Sequence, residues 1–105
     1  MSLNRQSISV GPTTISAQNT FSAPLFIPGG TDFTMKITGT AGSTVTLQKA
    51  ETSAEPTDGD FVDVNDFVNY KVYADKNATE GWFRVGVKTG NHSTNAIVSL
   101  NRSNG

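Results

Sequence analysis

Apolar residues recur at every second position through most of this chain, the spacing that gives a β-strand one face for a core and one for water. Phe33, Met35 and Ile37 alternate with Thr34, Lys36 and Thr38 in a strand that ends at Gly39. Ala41-Gly42-Ser43 reads as a hairpin turn. Val45 and Leu47 then alternate with Thr44, Thr46 and Gln48 in the return strand. In Trp82 to Lys88 the inward set is Phe83, Val85 and Val87, with Trp82, Arg84, Gly86 and Lys88 facing the other way. Ala96, Val98 and Leu100 form the last strand.

Shorter signals fill the gaps. Phe21 to Ile27 is apolar and is closed by Pro28-Gly29-Gly30, a strong turn signal. Phe61 to Val64 reads as a brief strand followed by turn chemistry at Asn65-Asp66. Val68, Tyr70 and Val72 share one face, and Asn69, Lys71 and Tyr73 the other. Lys49 to Gly59 and Asp75 to Gly81 read as polar loops. No helical i, i+3, i+4 stripe is present.

Strands at roughly eight-to-twelve-residue spacing predict a single-domain, all-β, antiparallel β-sandwich of jelly-roll or Ig-like type. Its body spans residues 17–102. Met1 to Ser16 is Ser/Thr-rich with isolated Ile8, Val10 and Ile15, and is expected to be an extended N-terminal arm or an edge strand. The expected core is Phe33, Met35, Ile37, Val45, Leu47, Val72, Phe83, Val85, Val87, Val98 and Leu100.

Composition narrows the class. At 105 residues the chain is one domain, and its hydrophobic content of 35% is lean. Two thin sheets, each giving half its residues to solvent, account for that figure and leave room for stabilisation by a partner or a homo-oligomer. The net charge is −1 and the 8 basic residues are scattered, so the clustered cations needed for nucleic-acid binding are missing. No apolar run reaches membrane-spanning length, and the first residues lack the apolar core of a secretory signal. With 0 cysteines the chain has no disulfide framework or thiolate metal site, which suits synthesis in a reducing cytoplasm.

Candidate chemistry is sparse. His92 is the single histidine and reads as a solvated turn residue, without the partner that catalysis or metal binding requires. Asp58, Asp60, Asp63 and Asp66 could offer oxygen ligands to a cation, but lack the alternating run and terminal Glu of a calcium loop. A glycosidase pair among Glu51, Glu55 and these aspartates would need an apolar cleft to raise one pKa, and none is apparent. Asn77, Asn91 and Asn101 match glycosylation sequons and read more simply as turn residues. No cofactor, metal or catalytic set is therefore expected. Trp82 has three readings: a second core layer, a protein interface shared with Arg84, or a platform for a sugar ring.

One resemblance carries the reading further. The runs GSTVTLQK (42–49), DGDFVDV (58–64) and EGWFRVGVKTG (80–90) resemble small virion β-proteins of tailed bacteriophages. The similarity spans Gly42 to Leu100, with Ala50 where Ser is common and a longer insert from Glu51 to Thr57. The resemblance implies a non-enzymatic capsid decoration (cement) protein, made in the host cytoplasm and placed on the capsid surface. Its expected partner is the major capsid protein of the same virion, with homo-oligomers on the shell. Expected interface residues are Leu3, Ile8 and Val10 of the arm, with Trp82 and Arg84 on the body. The alternative is a tail or fibre accessory module that binds another tail protein, or a host glycan through Trp82, Tyr70 and Tyr73.

Overall fold

The computed structural model describes residues 9–39, 43–52, 54, 56–68, 71–92 and 95–102. The expected arm contacts Leu3 and Ile8, together with Tyr70, lie outside the described residues. Among the described residues nine strands follow one another: β1 (Ser9–Ile15), β2 (Thr20–Phe21), β3 (Leu25–Ile27), β4 (Thr31–Gly39), β5 (Thr44–Ala50), β6 (Val62–Val68), β7 (Lys71–Asn77), β8 (Gly81–Val87) and β9 (Ala96–Arg102). A 3-10 turn, Asp58–Asp60, interrupts the loop before β6.

The strands form two antiparallel sheets, an all-β sandwich. One has the order β1-β9-β4-β7, and the other β2-β8-β5-β6 with β3 also pairing β8. Gly30, at φ +77°, supplies the left-handed turn that launches β4, and its N–H donates to the Asn77 carbonyl at 2.6 Å.

Alternation fills the space between the sheets as expected. Phe33, Met35 and Ile37 of β4, Val45 and Leu47 of β5, Phe83, Val85 and Val87 of β8, and Val98 and Leu100 of β9 are all buried. The Phe33 and Phe83 rings meet across the sandwich with centroids 4.7 Å apart. Ile15, Leu25, Ile27, Phe67 and Ala96 complete the core.

Val72 is not part of that core; it is 50% exposed. The chain leaves one sheet after Val68 and enters the other at Lys71, so the facing pattern follows whichever residues bury most area. Phe67 and Tyr73, with rings 5.0 Å apart, turn inward and leave Val68 and Val72 outside. Burial pushes the Tyr73 hydroxyl pKa up, and its hydrogen bond to Asp75 at 3.0 Å adds to the shift.

Asn65-Asp66 is not a turn either. β6 runs through it, with a bulge where Val64 is the extra residue between the pairs Leu47–Asn65 and Gln48–Asp63. The region after Asp75 continues as strand to Asn77 rather than opening into a loop. Ser9–Ile15, half of the expected arm, is an edge strand on β9, with Ile15 fully buried and Val10 packed on the core.

Candidate functional site: a polar ladder and hollow on one sheet

The outer face of the β8-β5-β6 sheet carries a continuous polar network. Outward residues of β5 pair directly with outward residues on both sides: Gln48 with Arg84 and Asp63, and Thr46 with Gly86 and Asp66. Such cross-strand neighbours interact side chain to side chain. Arg84 Nε donates to Gln48 Oε1 at 2.8 Å, and Gln48 Nε2 donates to Asp63 Oδ1 at 2.9 Å. Lys88 Nζ closes the row on Asp63 Oδ2 at 2.6 Å, and Thr46 donates to Asp66 at 2.7 Å. The Lys88 ammonium, and secondarily the Gln48 amide, hold the Asp63 carboxyl below the usual carboxylate range. Asp63 in turn raises the Lys88 pKa.

Arg84 is the centre of this network. Its guanidinium lies 4.1 Å from the Phe21 ring centroid and 4.1 Å from that of Phe61, stacked between two aromatics. Nη1 donates to Asp58 Oδ1 at 2.7 Å. The Arg84 side chain is 13% exposed, whereas that of Asp58 is 94% exposed. The stacking needs Gly86: a Cβ there would sit 2.5 Å from Phe21 Cα, so only glycine lets β2 lie this close. An open hollow of about 800 Å³ lies over Arg84 and Lys88, walled by Asn19, Thr20, Phe21 and Thr89.

Trp82 shares this outer face at the far end of β8. Its ring packs edge-on to Phe26 at 5.4 Å, and its half-buried indole forms no second core layer. The indole N–H is out of solvent contact and has no hydrogen-bond partner among the described residues. Tyr73 faces the inter-sheet space beside Phe67, so Trp82 and Tyr73 do not share one sugar-binding face. Val10 pairs with Leu100 of its own chain and lies against its own core. His92 is half-buried rather than solvated, and its Nε2 has no partner among the described residues. Asn77, one of the sequon residues, is buried in β7 and donates to the Ile27 carbonyl at 2.9 Å.

Among the described residues no group of three or more His, Asp or Glu is arranged to hold a metal ion. The expected interface pair Trp82 and Arg84 lies on one face, but only Arg84 lines the hollow. Sequence reasoning missed Gln48, Phe21 and Phe61 as members of the site, and weighed Asp58 only as a ligand for a metal cation, not as the partner of Arg84. The parity of Gln48 in β5 was the available signal, since it set an amide outward on the strand now paired with β8. What the geometry defines is a β-sandwich with a cation-floored polar hollow outside one sheet. Comparison with protein-family models, curated proteins and solved structures finds no match to this chain.

Proposed function

We propose that this chain is a non-enzymatic structural protein of a tailed-phage virion, a capsid decoration protein that bridges neighbouring major capsid subunits. The resemblance of Gly42 to Leu100 supplies the class. The observation that carries the docking mode is the distribution of exposed large apolar side chains. Val62, Val64 and Val68 on β6 and Val72 on β7 are 65, 45, 54 and 50% exposed, and among the described residues only Ile97 joins them. β6 and β7 are the outermost strands of their sheets, adjacent in sequence and joined through the Phe67–Tyr73 contact, so these valines border one edge of the sandwich, Val68 beside Thr44 on one sheet and Val72 beside Lys36 on the other. Concentrated apolar exposure on a lean, near-neutral domain is what a partner surface would cover. Each copy spanning two capsid subunits adds its binding energy to the assembled shell alone, which stabilises the shell by mass action.

The test is co-sedimentation with undecorated shells. Binding that saturates at a fixed ratio of copies to capsid subunits is expected. Absence of saturable binding to intact shells would defeat the reading.

A further inference from the structure

We propose that the hollow over Arg84 is a binding site for a small polyhydroxylated carboxylate of the hexuronic-acid class, with Asp58 occupying one Arg84 donor in the free protein as a built-in stand-in for the ligand. The inference is independent of the decoration role.

The first argument is preorganisation. Arg84 cannot wander, since Phe21 and Phe61 stack on its two sides and Gln48 fixes Nε. A guanidinium presents five N–H donors in a rigid fork matched to a carboxylate. Here two of its nitrogens have acceptors among the described residues, Nε on Gln48 and Nη1 on Asp58. Donor capacity therefore remains on a group whose ordering cost was met on folding.

The second argument concerns Asp58. Its carboxylate is 94% exposed on a 3-10 turn, while its cation is only 13% exposed. An ion pair with one fully hydrated partner contributes little, so exchanging that partner for another carboxylate is inexpensive. The incoming carboxylate gains a bidentate fork where Asp58 makes one contact. Lys88 adds a second cation to the same hollow, and its own Asp63 bond keeps it fixed rather than free to collapse onto the ligand.

The third argument identifies the rest of the ligand. The walls are mainly polar: Asn19, Thr20 and Thr89 line the hollow with Phe21 beside the two cations. The open hollow, of about 800 Å³, exceeds what a bare carboxylate needs. Two cations, an amide and hydroxyl-bearing residues around one aromatic ring suit a carboxylate on a ring bearing hydroxyls. The rim is also tied, because Gly90 N–H donates to Gln18 Oε1 at 2.7 Å and joins the two turns that carry Thr89 and Asn19.

The experiment is an NMR amide-shift titration of the ¹⁵N-labelled chain at low ionic strength. The probes are sodium glucuronate, glucose and N-acetylglutamate amide. Glucuronate should give saturable shifts at Thr20, Gln48, Arg84 and Thr89, with glucose and the glutamate derivative about tenfold weaker or more, the loss of charge-assisted or hydroxyl contacts. Asp58→Asn removes the competitor from a fully exposed position and should raise glucuronate affinity roughly two- to fivefold. Arg84→Lys should lower it about tenfold. No saturable shift, an equal response to glucose, tighter binding of the glutamate derivative, or unchanged affinity in Asp58→Asn would each overturn the proposal.

Discussion

The two flanks of the sandwich use the same kind of residue in opposite ways. On the β1 and β3 side, aliphatic residues turn inward: Ile15 and Ile27 are fully buried, Leu25 is 3% exposed, and Val10 packs on the core. On the β6 and β7 side, Val62, Val64, Val68 and Val72 turn outward, and the inward places go to Phe67 and Tyr73. The backbone edges are blunted on both sides. β1 shifts register at Gly11-Pro12, and Pro12 has no N–H to offer a neighbour. β6 carries a bulge and the charges Asp63 and Asp66, and β7 carries Asp75 and Lys76. Association through the β6-β7 flank would therefore use side chains and not added strands, whereas β1 and β3 on the opposite flank serve chiefly to close the core.

The strongest way to break this contrast is to shorten Ile15. If the β1 flank is core, Ile15→Ala removes buried methylene groups and leaves a cavity, costing about 2–5 kcal/mol in urea denaturation. A loss under about 1 kcal/mol would mean that β1 is a dispensable arm after all.

The contrast also marks what sequence could reveal. The central strands were legible, because β4, β5, β8 and β9 lie between neighbours and each has one face in the core. Their alternation therefore maps directly onto burial. The misreadings fall on the flanks: Val72 placed in the core, the turn at Asn65-Asp66, the loop after Asp75, and Ile15 left out of the core. Ile15 stands alone among Ser and Thr, so nothing local shows that β9 pairs with it. Val72 sits in an apolar set with Val68, and only the change of sheet after Val68 hands the interior to the larger aromatics. In the candidate site, the outward parity of Trp82 and Arg84 was legible. The partners of Arg84 were not, since Phe21, Phe61 and Asp58 arrive from two other segments. Gly86 is likewise explained only by the close approach of β2.

A smaller effect sharpens the exposed side of the comparison. Asp63 on β6 is held below the usual carboxylate range by Lys88 first and then Gln48, and Glu51 by Lys49 first and then Thr79. A depressed folded-state pKa means that the unfolded chain binds more protons on acidification. The stability these groups contribute is full above their unfolded values, about 3.9 for Asp and 4.3 for Glu, and is lost as pH falls through the lower folded values. Lys88 is raised by Asp63, so its share is full below about 10.4 and is lost as pH rises through its folded value. Stability should be level from about pH 5 to 10, and Asp63→Asn should shrink the decline at both ends. An unchanged pH profile in that variant would remove Asp63 and Lys88 as its source.

The most direct measurement is the thermal disruption temperature of undecorated shells with the wild-type chain and with a Val62→Ser, Val64→Ser, Val68→Ser variant. These exposed positions contribute little to folding, within about 0.5 kcal/mol each, so the variant stays folded. The wild type is expected to raise the disruption temperature, and the variant to lose most of that increase. Saturated wild-type binding with no rise in disruption temperature would contradict the cement role, and a full rise with the variant would contradict the β6-β7 flank as the contact.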